Sequence, residues 1–303
     1  AAKPDNAQVI ELTDKYLAGY PDSKQLSSIY QLRMQAYQGL NNSAKMEEAA
    51  NKVLEIDPGN LRALLLLSYL FPRTINTADP ELAPKLDKAG ANAQKGLAAL
   101  DALAAPAGVT PEQFQQQKNQ SGAVLHQTAG YVALQKKDYP TAQAELMKSS
   151  TANQNDALGF YWLGLAYLSP KPGAEYDKGM WALARATALT GPTALPASMK
   201  ESVTKYLDQV YDARHGSTDG LTDLTAKAGA TAFPEDGFHI QTADELAPPE
   251  PEPVAAPAPK RELTVKAEEL TDFSVIQKYL QSGGDKETDT WEIMKGQSFP
   301  MPG

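Results

Sequence analysis

Residues 120–192 repeat themselves, and this self-similarity limits the fold of the chain more than any other feature. One pattern starts at His126 and again at Phe160, 34 residues later. It consists of a large residue, then a small or apolar residue followed by Gly, and then a further apolar residue. A second pattern, in which small residues flank a Leu at fixed spacing, starts at Ala142 and returns at Gly179. Proteins built from stacked helical hairpins have repeats of this length.

The residue types in the two units resemble the tetratricopeptide repeat (TPR) family, in which each repeat is a pair of antiparallel helices. Gly130 and Gly164 on the first helix of each pair let the second helix approach closely, and small residues on the second helix receive bulky side chains of the first. One hairpin cannot bury its own apolar face, so several must stack. The resemblance therefore implies an all-α fold, a TPR-like α-solenoid of stacked helical hairpins.

Changes in composition divide the chain into three predicted parts. Residues 1–229 carry apolar side chains at helical spacing and form the predicted repeat domain. Residues 230–262 are the predicted Pro-rich linker, because the prolines between Ala247 and Lys260 fix the backbone in an extended form and supply no hydrogen-bond donor. Residues 263–303 form the predicted C-terminal tail.

The tail combines strand-like and helical patterns. Residues 263–267 alternate as a short strand does, residues 271–280 have helical spacing, and apolar residues alternate again at Trp291 and Ile293. Because so short a segment cannot bury a core of its own, we expect it to dock on another surface. The side chains predicted to dock are Phe273, Ile276, Tyr279, Leu280, Trp291 and Ile293.

Prolines and glycines predict where several helices begin and end. We expect Pro72 to end the helix before it, because proline has no N–H and clashes with the preceding turn. Thr110 and Pro111 are the predicted N-cap and first residue of a long helix that runs to Lys136. A later helix is expected to end at Gly216, since glycine adopts the left-handed conformation freely.

Charge and composition exclude several classes of protein. The formal net charge is −9, and no cluster of Lys and Arg is present that could bind nucleic acid phosphates. There is no Cys, so the chain forms neither disulfides nor thiolate metal sites. No apolar run is long enough to predict a membrane span. A neutral or basic protein or peptide is the expected partner.

The chain starts with Ala1-Ala2-Lys3-Pro4 rather than Met, as chains do after removal of a signal peptide. Together with the Pro-rich segment, this start favours a secreted or periplasmic protein. The alternative is a cytoplasmic one.

No pattern in the sequence predicts catalysis or a cofactor. His126, His215 and His239 are far apart, and none has the spacing of a metal-ligand pair. There is no nucleophile elbow, no phosphate-binding loop and no dinucleotide fingerprint. We therefore expect a protein that is not an enzyme; an enzyme would have to gather Asp, Glu or His from distant repeats.

In the TPR family the first helix of each repeat lines a concave face, which binds an extended peptide or a partner helix. The family's carboxylate clamp uses an Asn at positions that hold Leu32, Thr128 and Trp162 here, so the clamp is not expected. The alternative for part of the predicted groove is a core between repeats. The predicted partner-binding groove consists of Leu65, Tyr69, Tyr131, Leu134, Tyr161, Leu165 and Leu168.

We interpret the chain as a non-enzymatic interaction scaffold that binds a peptide or partner segment in this groove. The alternative is a structural subunit that assembles with itself through its tail. In that hypothesis residues 271–299 dock into the groove of the same chain or of a neighbour, and a head-to-tail contact that does not close gives a filament.

Overall fold

The computed structural model describes residues 4–247 and 261–297, which contain helices and no β-strand. Residues 1–3, 248–260 and 298–303 lie outside these ranges, and with them most of the predicted linker and the end of the predicted tail. The described residues form two compact units, 4–247 and 261–297. The helices of the first unit are α1 (Asn6–Gly19), α2 (Leu26–Gly39), α3 (Ser43–Ile56), α4 (Leu61–Thr74), α5 (Leu82–Asp101), α6 (Pro111–Gln135), α7 (Tyr139–Ala152), α8 (Ala157–Leu168), α9 (Tyr176–Ala188), α10 (Ala197–His215), α11 (Leu221–Ala230) and α12 (Ala243–Leu246).

Residues at the helix ends explain several of these boundaries. The Thr110 hydroxyl accepts a hydrogen bond from the backbone N–H of Gln113, and the Gln113 side chain accepts one from the N–H of Thr110, both at 3.2 Å. This reciprocal cap satisfies two donors that the first turn of α6 leaves free. At the other end of the unit, Gly216 has φ 86° and ends α10 in the left-handed conformation. Both predicted boundaries are confirmed.

From α1 to α10, each helix packs mainly against its neighbours in the sequence, whereas α11 packs against α9 and α12 against α10. The pairs α2 and α3, α4 and α5, α6 and α7, and α8 and α9 are in contact, and each pair contacts the next. Helix α4 also packs against α6. The all-α prediction is confirmed, and this packing is consistent with a helical repeat.

Two glycines bring the helices of the repeated hairpins together. A Cβ atom at Gly130 would lie 2.6 Å from Leu146 Cγ and 3.0 Å from the Leu146 backbone N. A Cβ atom at Gly164 would lie 2.7 Å from Leu183 Cδ2 and 3.1 Å from the Gly179 carbonyl oxygen. Because Cβ atoms do not pack that closely, the predicted role of both glycines is confirmed.

The prediction that Pro72 ends its helix is wrong, because α4 continues through it to Thr74. Proline has no N–H, so it cannot satisfy the carbonyl of Ser68 four residues earlier. The hydroxyl of Thr128 on α6 donates to that carbonyl at 2.5 Å, and the Thr128 side chain is fully buried. A hydrogen bond from a neighbouring helix thus replaces the one that proline removes.

The first unit extends beyond the predicted boundary at residue 229. Residues 231–240, here called the strap, cross the helices, and Ile240 is buried. The ring centroids of Phe233 and Phe160 are 5.7 Å apart, and those of Phe238 and Trp181 are 4.8 Å apart. These side chains bury apolar area on α8 and α9, which keeps the strap on the helical body.

The predicted mixed structure of the tail is wrong for residues 261–297, which contain helices α13 (Phe273–Leu280) and α14 (Gly284–Met294), a short 3-10 turn at Ala267–Glu269, and no strand. Instead of a strand, Val265 contributes to a small cluster with Leu270 and Ile276. Asp289 accepts hydrogen bonds from the Thr264 backbone N–H at 2.5 Å and hydroxyl at 2.6 Å. The expectation that the tail has no core of its own is therefore also wrong.

Candidate functional site

A cleft of about 540 Å³ opens between α4, α6, α8 and the segment that leads into α10. Helices α4, α6 and α8 are the first members of three successive hairpins, which is where the repeat places a binding face. We call it the Tyr69–Trp162 cleft. Its lining residues are Tyr69, Pro72, Arg73, Ala123, Val124, Gln127, Tyr131, Ser149, Asn153, Asp156, Leu158, Trp162, Pro192, Thr193, Ala194, Leu195, Pro196 and Met199.

Aromatic rings form one wall of the cleft. The ring centroids of Tyr131 and Trp162 lie 4.7 Å apart, and Phe71 meets Tyr131 edge to face at 6.4 Å. Tyr131 and Trp162 are each only 5% exposed, so they present edges of rings that the core holds in place. Burial raises the pKa of Tyr131, which keeps its phenol protonated and able to donate a hydrogen bond.

Arg73 and Tyr69 form the mouth of the cleft on α4. The Arg73 guanidinium lies 4.1 Å from the centroid of the Tyr69 ring and donates to the Tyr69 carbonyl at 2.8 Å. Tyr69 is 48% exposed. A cation over an aromatic face is held in a fixed place while it stays accessible to solvent, so this pair can contact a bound molecule.

A chain of polar side chains crosses the floor of the cleft. Arg73 donates to the Gln127 side-chain oxygen at 3.3 Å, and the Gln127 amide donates to Asp156. The second carboxylate oxygen of Asp156 accepts from the Leu158 backbone N–H at 3.2 Å, which caps α8. Gln127 is almost fully buried, so both of its bonds are needed to satisfy its amide. The cleft thus presents one cation and one carboxylate at fixed positions.

The segment before α10 closes the remaining side. The Ala157 backbone N–H donates to the Thr193 carbonyl at 3.2 Å, and the Thr193 hydroxyl donates to the Asn155 carbonyl at 2.6 Å. Leu195 is buried in the large apolar cluster of the unit. These bonds fix a proline-containing wall against the start of α8.

The structure places the seven predicted groove residues in different environments. Tyr69 and Tyr131 line the cleft. Leu65, Tyr161 and Leu165 are half-buried and do not line it, and Leu134 and Leu168 lie in the core. Leu168 fills the space that the missing side chain of Gly179 leaves, since a Cβ atom there would lie 2.5 Å from Leu168 Cγ.

Sequence reasoning missed most of the polar groups and one ring of the cleft. Trp162 stands 34 residues after Thr128, so the repeat identifies it as a position on the first helix of a hairpin. Asp156 also has a recognisable signal, because an Asp just before an apolar helical run predicts an N-cap. Nothing in the sequence brings Arg73, Gln127 and Asp156 together.

The three histidines are engaged with groups of the protein. His126 Nδ1 lies 2.6 Å from a carboxylate oxygen of Glu145. This hydrogen bond is the main cause that lowers the pKa of Glu145 to about 2. His215 Nδ1 is bonded to the Gln241 carbonyl oxygen at 2.8 Å. In residues 4–247 and 261–297 no three His, Asp or Glu side chains are grouped as metal ligands.

His239, on the strap, bonds to two carboxylates. Its Nδ1 lies 2.9 Å from Asp177 on α9, and its Nε2 lies 2.9 Å from Glu245. Hydrogen bonds to Glu245 and then Asp177 raise the pKa of His239. These two hydrogen-bond contacts tie the strap to the start of α9 and to α12.

Most of the predicted docking residues of the tail belong to the core of the second unit. Ile276 is buried there, and Tyr279, Leu280 and Ile293 pack against the same cluster. Phe273 and Trp291 are 45% and 64% exposed. Only these last two keep a large apolar surface for contact with another molecule.

Comparisons with known proteins give no relative of this chain. No family model matches it, and neither curated proteins nor solved structures contain a significant match. In the part of the chain that the structure describes, no helix has both the length and the apolar character needed to cross a lipid bilayer.

Proposed function

We propose that this protein is a non-enzymatic scaffold that binds an extended peptide segment of a partner in the Tyr69–Trp162 cleft. The observation that carries the proposal is the pairing of Tyr69, Tyr131 and Trp162 with a fixed chain of donors and acceptors on the same cleft. The finer architecture belongs to the proposal too: the hairpins stack as a TPR-like solenoid. So does the export of the protein to the periplasm or the outside of the cell.

The chemistry of the cleft favours a peptide over other partners. An extended peptide carries backbone N–H groups and carbonyls that need both acceptors and donors. Asp156 accepts hydrogen bonds and Arg73 donates them, while the aromatic wall takes apolar side chains. A nucleic acid would need several cations instead, and the net charge of −9 opposes it.

Peptide selection on the full chain tests the proposal. A random peptide library displayed on phage would be panned on the wild type, and one enriched peptide would be synthesised with a fluorescent label. We expect Tyr69→Ala and Arg73→Ala each to weaken its binding by about tenfold, as for residues at the centre of an interface. Fluorescence polarisation measures the affinity.

The matched control is Leu12→Ala, which truncates an exposed apolar side chain on α1. It should leave the affinity unchanged. Circular dichroism would establish that each variant keeps the helix content of the wild type. The proposal fails if no peptide is enriched, or if enriched peptides bind the cleft variants as tightly as the wild type.

Self-assembly through the tail is a second candidate function, which the exposure of Phe273 and Trp291 favours. Two large exposed apolar side chains on a small unit are typical of a contact site. Sedimentation velocity on the full chain would compare the wild type with Phe273→Ser/Trp291→Ser. We expect concentration-dependent association that the double variant loses and that Leu263→Ser, another exposed apolar residue of the unit, retains. A wild type that stays monomeric at high concentration rules this candidate out.

A further inference from the structure

A second cavity, of about 460 Å³, lies between α7, α8, α9 and the strap. Its volume falls within the range of about 300–1,000 Å³ that is usual for small-molecule sites. It shares no lining residue with the Tyr69–Trp162 cleft. The lining residues are Met147, Thr151, Gln154, Phe160, Leu163, Tyr167, Asp177, Lys178, Trp181, Ala182, Ala232, Phe233, Pro234, Glu235, Asp236, Gly237 and Phe238.

Two aromatic pairs wall the cavity, and each joins a helix to the strap. Trp181 of α9 meets Phe238 at 76° with centroids 4.8 Å apart, and Phe160 of α8 meets Phe233 at 46° with centroids 5.7 Å apart. Tyr167 adds a fifth ring to the lining. Rings in several orientations offer faces and edges to one small volume, which is the arrangement that surrounds alkylated ammonium groups.

The charges at the cavity are mostly negative. Its lining includes the carboxylates of Asp177, Glu235 and Asp236 and a single ammonium, that of Lys178. Lys178 is itself paired with Glu175, and Asp177 with His239; both partners lie outside the lining. Since a cation gains from aromatic faces and from nearby carboxylates together, the cavity is suited to a positive ligand.

The protein already places its own cations against two of these rings. The Lys178 ammonium lies 5.5 Å from the Tyr167 centroid, and the Arg185 guanidinium lies 5.7 Å from the Phe160 centroid. Arg185 does not line the cavity, and three carbonyls accept its hydrogen bonds. The ring system therefore tolerates positive charge at close range.

We propose that this cavity binds a small organic cation, an alkylated ammonium ion joined to an apolar group. The aromatic pairs enclose the cation, and the strap carboxylates Glu235 and Asp236 balance its charge. This site is separate from the Tyr69–Trp162 cleft, with which it shares no lining residue.

Benzoylcholine and its neutral isostere 3,3-dimethylbutyl benzoate test the proposal on the full chain. They differ only in the replacement of the quaternary nitrogen by carbon. Titration followed by tryptophan fluorescence and by calorimetry should show benzoylcholine binding at least about tenfold more tightly, as expected for a desolvated cation on aromatic rings. Equal affinity of the two esters would show a merely apolar cavity and overturn the proposal, as would the absence of benzoylcholine binding at about 10 mM.

Paired variants locate the site without threatening the fold. Glu235→Gln/Asp236→Asn changes two exposed side chains, and we expect about threefold weaker benzoylcholine binding from the loss of two nearby charges. Asp22→Asn/Glu201→Gln changes the net charge equally at exposed positions outside the cavity and should have no effect. Phe238→Leu removes a ring and should weaken binding about fivefold. Equal weakening by both charge pairs, or an unchanged affinity in Phe238→Leu, contradicts the site.

Discussion

The α6–α7 and α8–α9 hairpins pack by the same rule but carry different chemistry around it. In the first hairpin Gly130 admits Leu146, and in the second Gly164 admits Leu183. In both, the Leu is fully or almost fully buried. The positions that repeat therefore hold the two helices of each pair together.

The positions that do not repeat build the candidate sites. His126 bonds to Glu145, whereas its counterpart Phe160 packs near Phe233 in the second cavity, between α7, α8, α9 and the strap. Thr128 donates a hydrogen bond to the Ser68 carbonyl of α4, in the preceding hairpin, whereas its counterpart Trp162 lines the cleft. One packing rule thus leaves other positions free for different chemistry, as is usual in repeat proteins.

Disrupting the close helix contact at one of these glycines should have the largest effect on stability. Gly164→Val places a branched side chain where a single Cβ would already lie 3.1 Å from the Gly179 carbonyl oxygen. We expect the free energy of unfolding to fall by about 3 kcal/mol, because the helices of the pair must move apart. Urea unfolding followed by circular dichroism measures it. Gly19→Ala is the control, since a Cβ there meets nothing within 4 Å. A Gly164→Val variant as stable as the control would refute the packing rule.

Removing the hydroxyl of Thr128 should have the next largest effect. Thr128→Val keeps the shape of the side chain and leaves the buried Ser68 carbonyl without a donor, so we expect a loss of about 2 kcal/mol in unfolding free energy. In a Pro72→Ala background the new backbone N–H at position 72 can donate a hydrogen bond to the Ser68 carbonyl. The same substitution should then cost clearly less. Equal costs in the two backgrounds would show that the hydroxyl does not stand in for the missing N–H.

The contact between His126 and Glu145, which the α8–α9 hairpin lacks, should make the stability of the protein depend on pH. The pKa of Glu145 is lowered from 4.5 to about 2, first by its hydrogen bond from His126. A carboxyl whose pKa is lower in the folded state adds stability that is complete above about 4.5 and lost as the pH falls toward about 2. Near neutral pH we expect Glu145→Gln to lower the unfolding free energy by about 1 kcal/mol.

The difference in unfolding free energy between wild type and Glu145→Gln should disappear as the pH falls toward about 2. Urea unfolding across that pH range measures it. Lys148 contacts the same carboxylate at 2.7 Å but is 56% exposed. Lys148→Ala is therefore expected to change the stability by less than about 0.5 kcal/mol. A difference in unfolding free energy between wild type and Glu145→Gln that stays constant with pH would show that the charge of Glu145 adds nothing to stability.

The parts of the fold that depend on local spacing could be predicted from the sequence. The two glycines of the repeat, the cap at Thr110 and the left-handed end at Gly216 each act within one helix or one hairpin. A residue pattern records such contacts directly, because the groups involved lie at fixed separations along the chain.

The parts that failed depend on contacts between distant residues. Pro72 does not end α4, because a hydroxyl from α6 replaces the missing donor. Phe233 and Phe238 were assigned to a linker because prolines dominate the composition further along, yet both rings pack on the helices. Arg73, Gln127 and Asp156 meet only after three hairpins have stacked. No local pattern contains that information.

The hydroxyl that donates to the Ser68 carbonyl lies 60 residues further along the chain, on α6. This hydrogen bond can form only after α6 has packed against α4, so its formation marks the joining of two hairpins.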